Sequence, residues 1–74
     1  MNIKMEISNL NSQNDVNVIR EAFENQEGII GLEIVLDKKI VNVIYDDFYT
    51  TQYVVMDVIE DLGYVILNIS GKMK

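Results

Sequence analysis

The apolar positions of this chain change period four times, and each change marks an element. Residues 2–8, NIKMEIS, place Ile3, Met5 and Ile7 on one side and Lys4 and Glu6 on the other, the two-residue alternation of a half-buried strand. After a polar stretch, Val16, Ile19 and Phe23 recur at three and four residues with Ala22 beside them. Arg20, Glu21 and Glu24 fall elsewhere, which predicts a helix closing near Glu27 and Gly28. IIGLEIVL and IVNVIYD flank Asp37-Lys38-Lys39 and predict a hairpin. Leu32, Ile34 and Leu36 share one face of its first strand, and Val41, Val43 and Tyr45 share one face of the second. The turn has neither Gly nor Asn, so it is expected to be longer than two residues.

Val55, Val58, Ile59 and Leu62 then return to helical spacing, with Asp57, Glu60 and Asp61 on the remaining surface. The β-branched content of this segment lowers its intrinsic helix propensity, so tertiary burial must hold it. Gly63 is placed to end it. YVILNIS follows as a last strand, and residues 71–74, GKMK, are expected to fray. The order β-α-β-β-α-β, in a single domain spanning residues 1–74, predicts an α+β, ferredoxin-like sandwich. Two helices cover one face of a four-stranded antiparallel sheet, and Lys4, Glu6, Glu33 and Asn42 line the open face.

Size and charge narrow the possible functions. A chain of 74 residues folds to roughly 4,700 Å² of surface, enough for one thin core and too little for a deep catalytic cleft. There is no Cys and no His, which excludes thiolate zinc sites, thiol redox chemistry and imidazole-based catalysis. The opening residues alternate too early for a signal peptide, and no apolar run approaches the ~18 residues of a membrane span; a cytoplasmic protein is expected. Net charge is −6, with the six basic residues scattered apart from Lys38-Lys39. Such a chain repels nucleic acid and anionic membranes and attracts a basic protein.

The residues resemble a known family, the heavy-metal-associated domain of copper chaperones and metal-exporting P-type ATPases. The resemblance runs from Met1 to about Ile69. It rests on EGIIGLEIVLDKKIVNVIYDD, with Glu27-Gly28-Ile29 and Val43-Ile44-Tyr45-Asp46, and on VIEDLGYVI, with Gly63-Tyr64. The family's metal loop, Gly-Met-Thr-Cys-x-x-Cys, falls on Asn9-Leu10-Asn11-Ser12-Gln13-Asn14-Asp15. Leu10 keeps the apolar position that tucks under the loop, and both ligand cysteines are replaced, by Ser12 and Asp15. Paired thiolates suit a soft ion, whereas a hydroxyl and a carboxylate are hard oxygen donors, so the family's metal transfer does not carry over.

Ser-x-x-Asp at a helix start approaches a capping box, with the Ser12 hydroxyl accepting from the Asp15 amide and the Asp15 carboxylate facing the positive helix end. Residues that hold metal in the family here look suited to holding a helix. A hard-cation site gathers six to eight oxygens for calcium, and Asn11, Ser12 and Asp15 offer three. Met1, Met5, Met56 and Met73 are better explained as core filler or terminal residues than as thioether ligands. Acylphosphatases share the topology, but Arg20, the single arginine, lies mid-helix without a phosphate-cradling loop.

The expected function is therefore a non-catalytic protein-interaction or regulatory module without a cofactor. Its candidate face is Leu10, Asn11, Ser12, Asp15 and Tyr64, and its expected partner a protein with a basic surface. Homodimerisation through a sheet edge is a variant of that reading. Metal binding through oxygen or thioether donors is the alternative. Phe48, Tyr49 and Tyr53, before and within the first turn of the second helix, are further candidates for a contact surface.

Overall fold

The computed structural model describes residues 1–72. Six elements follow in the predicted order: β1 (Asn2–Ile7), α1 (Gln13–Glu24), β2 (Ile29–Val35), β3 (Ile40–Tyr45), α2 (Gln52–Asp61) and β4 (Ile66–Lys72). The strands form one antiparallel sheet in the order β2-β3-β1-β4, so β1 pairs on both sides and β2 and β4 are edges. Alternation decides which face is buried. Ile3, Met5 and Ile7 of β1 and Val41 and Val43 of β3 are fully buried, together with Ile19 of α1 and Val55 and Ile59 of α2. Lys4, Asn42 and Glu33 lie opposite one another across β1, β3 and β2 on the other face, and Asn2 Nδ2 donates to Asn42 Oδ1 at 2.9 Å.

Three boundaries differ from the sequence reading. α1 ends at Glu24, before Gly28, because the Asn25 side chain donates to the Glu21 carbonyl and the Gln26 amide to the Phe23 carbonyl. β2 ends at Val35. Leu36 belongs instead to a single 3-10 turn, Leu36–Lys38, closed by Lys39 in the left-handed region at φ 58°. That turn is longer than two residues, as its composition implies, and leaves Leu36 half-buried at the edge of the core. β4 continues through Gly71 and Lys72, which pair with Ile3 and Asn2, two residues beyond the predicted strand; 73 and 74 lie outside the described residues. β4 also carries a bulge opposite Glu6 and Ile7, and Val65, Leu67 and Ile69 on and beside this edge are exposed.

α2 closes as predicted at Gly63, which has φ +94°. The Gly63 amide donates to the Glu60 carbonyl and the Tyr64 amide to the Ile59 carbonyl, a Schellman arrangement that turns the chain sharply toward β4. Gly28, at φ +88°, serves the other end of the molecule: a Cβ there would lie 3.0 Å from Thr50 Cγ2 and 3.1 Å from Tyr49 Cβ, whereas one on Gly63 meets nothing within 4 Å.

These two glycines separate backbone strain from steric crowding. Gly63→Ala is expected to cost about 1 kcal/mol, the left-handed penalty alone. Gly28→Ala should cost distinctly more, because Thr50 and Tyr49 must also move. Urea unfolding of the two variants checks the order, and equal costs would show that the Tyr49–Thr50 turn yields freely.

Candidate functional site

The segment between β1 and α1 is tied on three sides. On one side Ser8 and Asn9 clasp the chain after α2: the Ser8 amide donates to the Val65 carbonyl, Asn9 Nδ2 to the Gly63 carbonyl at 3.1 Å, and Asn9 Oδ1 accepts from the Val65 amide at 2.9 Å. On a second side Lys39 reaches across from the β2–β3 turn. Its Nζ donates to Asn11 Oδ1 at 2.6 Å and to the Ser8 carbonyl at 3.2 Å. Leu10 points the third way and is fully buried. It therefore leaves the expected contact face and acts as the floor of the loop, holding it against the core. Asn11 and Ser12 are exposed, and Asp15 and Tyr64 are half-buried.

Ser12 is the N-cap of α1, in extended conformation, and the capping box is complete. Ser12 Oγ accepts from the Asp15 amide at 3.3 Å, while Asp15 Oδ2 accepts from the Ser12 amide at 3.1 Å and from the Asn11 amide at 2.9 Å. The second carboxylate oxygen, Oδ1, accepts from the Tyr64 hydroxyl at 2.6 Å. Tyr64 reaches it because it is the residue immediately after the Gly63 turn, so the closure of α2 sets the phenol over the start of α1. A short O–H···O⁻ bond of this kind is among the stronger hydrogen bonds, since the acceptor is ionised.

The electrostatics follow from these contacts. The Tyr64 hydroxyl first, then the backbone amides of Asn11 and Ser12, hold the Asp15 carboxyl below its ordinary 3.8. Burial first, then the neighbouring Asp15 carboxylate, pushes the Tyr64 phenol up to about 12. Both shifts favour the same pair of states, phenol neutral and carboxylate charged. The oxygens of Ser12 and Asp15 are thus already engaged with donors, and the Lys39 ammonium is the cation beside them. A hard cation bound at this loop must displace Lys39 from Asn11 or break the Asp15 contacts. Among the described residues no three acidic side chains converge as a metal site would require.

The other sequence candidates lie elsewhere. Asp46 opens a turn, its Oδ1 accepting from the Phe48 amide, and Thr51 caps α2. Met5 is fully buried, Met56 half-buried, Met1 exposed, and Met73 lies outside the described residues. The groove between α1 and β2, about 320 Å³ and lined by Arg20, Phe23, Glu24, Ile30 and Leu32, is remote from the loop. Sequence reasoning missed Lys39 and Asn9. Lys39 is separated from Asn11 by 28 residues, and a lysine in a left-handed turn position carries no pattern that announces it.

The linked pair makes stability depend on pH at both extremes. Asp15, held low, contributes stability above pH 3.8 that is lost as the pH falls through its folded value. Tyr64, held high, contributes fully below its ordinary 10.0, and this is lost as the pH rises through about 12. Tyr64→Phe is expected to move the Asp15 titration upward and to abolish the phenolate absorbance step near 12, read by carboxyl NMR and ultraviolet absorbance. Ser12→Ala should cost about 1 kcal/mol as the loss of an N-cap. An unmoved Asp15 titration in Tyr64→Phe would mean that the phenol contact does not form in solution.

No family model matches the sequence, and neither does any curated protein. Solved structures do match the fold over nearly the whole chain. The CopZ metallochaperone is 22% identical with a TM-score of 0.84, covering 90% of this chain and 100% of its own. Oxidized MerP from Ralstonia metallidurans CH34 is 15% identical with a TM-score of 0.82, covering 90% of this chain and 93% of its own. The yeast copper transporter domain CCC2A, solved in apo and Cu(I)-loaded states, is 22% identical with a TM-score of 0.80, covering 93% and 97%. The architecture of this chain is that of the heavy-metal-associated domain, built here without a cysteine.

Proposed function

We propose that this chain is a non-catalytic relative of the heavy-metal-associated domain, a single unit over residues 1–74, that has given up thiolate metal handling and works through protein contacts. The observation that carries the reading is the Asp15 carboxylate, whose two oxygens accept three hydrogen bonds from Tyr64, Asn11 and Ser12, with Lys39 on the neighbouring Asn11. Donors that would have to be free for an incoming ion are used to build the start of α1. The loop then serves as the fixed start of the helix, with Asn11 and Ser12 outermost, instead of as a ligand set.

The partner on this reading is a cytoplasmic protein with a basic surface. Glu21, Glu24, Asp57, Glu60 and Asp61 are all exposed on the two helices, and the chain carries net charge −6, which steers a positively charged partner toward it. A second copy paired along a sheet edge is the variant of this reading.

An amide NMR titration with Cu(I) under strict exclusion of oxygen, then with Zn²⁺ and Ca²⁺, tests it. No saturable shifts are expected at micromolar ion. Saturating shifts confined to Asn11–Val16 would overturn the reading, since the loop would then hold a metal through substituted donors.

A further inference from the structure

The end of the sheet opposite the loop presents three aromatic rings to solvent. Phe48 is 83% exposed, Tyr49 61% and Tyr53 69%. The register places them there: Tyr45, just before them, pairs with Ile29, while the loop end is marked by Ile40 opposite Glu6 and Val35. Single exposed aromatics are common on protein surfaces, whereas here three fall within six residues of chain, between the end of β3 and the first turn of α2.

A fixed turn holds this patch. The Asp46 amide donates to the Gly28 carbonyl at 2.8 Å, and the Asp46 carbonyl accepts from the amides of Tyr49 and Thr50. Asp46 Oδ1 accepts from the Phe48 amide, and Thr51 Oγ1 from the Val54 amide as α2 begins. Gly28 closes tightly against Tyr49 and Thr50, which a side chain there would have to push aside. The Phe48 and Tyr49 rings sit edge to face with centroids 5.1 Å apart. Rings presented by a rigid turn are already organised for contact.

Charge selects the occupant. From Ile40 to Gly71 the chain contains no Lys or Arg, and has five acids: Asp46, Asp47, Asp57, Glu60 and Asp61. Asp47 precedes Phe48 directly, and Asp57 follows Tyr53 by one helical turn, so both aromatics have an exposed carboxylate beside them in the chain. Aromatic faces attract cations through their quadrupole, and guanidinium in particular stacks on them. We infer that the Phe48–Tyr53 end, and not the loop end, is the docking surface, and that its occupant is an arginine-bearing segment of a partner protein. The inference rests on the protein-contact reading above and assigns its surface.

Amide shift mapping of the full chain with a short peptide of alternating arginine and serine tests the assignment, with glutamine replacing arginine in a control peptide. Saturable shifts over Asp46–Asp57 are expected with the arginine peptide alone, weakening as salt is added. Phe48→Ser with Tyr53→Ser should weaken binding about tenfold; both positions are exposed, and the amide spectrum verifies that the fold is kept. Asp47→Asn with Asp57→Asn should weaken it and flatten the salt dependence. The inference is overturned if the peptide does not bind, if the glutamine peptide binds equally, or if the aromatic variant binds unchanged. It is equally overturned if the patch shifts with protein concentration in the absence of peptide, which would identify a second copy as its occupant. Shifts centred on Asn11–Asp15 instead would move the surface to the loop and leave the protein-contact reading standing.

Discussion

β1 is the member on which the other elements depend. It lies inside the sheet with β3 on one edge and β4 on the other, and its three inward side chains, Ile3, Met5 and Ile7, are fully buried. Burying side chains of this size contributes about 2 kcal/mol each, a large share of what a domain this small can assemble. The same strand fixes where the loop begins. The Ile7 amide bonds to the Lys39 carbonyl, which brings the β2–β3 turn alongside and leaves the Lys39 ammonium within reach of Ser8 and Asn11.

Two ways of stabilising the same corner are therefore distinguishable. In a thiolate loop the ion itself gathers the ligands, so order there depends on occupancy. In this chain the gathering is done by covalently attached groups: the Tyr64 phenol, the Lys39 ammonium and the amides of Asn11 and Ser12. Their strength comes from local geometry. Gly63 takes a left-handed turn, the turn sets Tyr64, and Tyr64 meets a carboxylate whose other oxygen already caps the helix. Each link is short-range except the last, which spans 49 residues and joins the two helix boundaries.

The architecture was legible because a thin core leaves the apolar period nearly undisturbed. Val16, Ile19 and Phe23 are buried as their spacing implies, and so are Val41, Val43 and Tyr45. The failures are of one kind. Gly28 was an attractive helix stop, but the Asn25 side chain closed α1 earlier and left the glycine to accommodate Tyr49 and Thr50, neighbours 21 and 22 residues away. Leu36 continued the strand alternation but was drawn into the turn. Leu10 fits the resemblance, which tucks it under the loop, and not the contact face, because its hydrophobicity in a loop over a core turns it inward. Ser12 and Asp15 were legible because a capping box is a local pattern; Lys39 and Asn9 were not, because their partners are fixed only once the sheet exists.

The strand order carries a consequence for how the molecule comes together. Because β4 pairs with β1, the sheet is closed by joining segments more than 55 residues apart in sequence, with Asn2 against Lys72 and Ile7 against Ile66. Loop-closure entropy must be overcome before that ladder returns any hydrogen bonds, so folding is expected to be slower than for a helical bundle of equal length. Until closure, Gly63–Ser70, eight residues without a charge, waits as a β-prone segment with no partner. The chain's surplus of negative charge then acts on the unfolded ensemble, keeping separate molecules apart while each finds its own first strand.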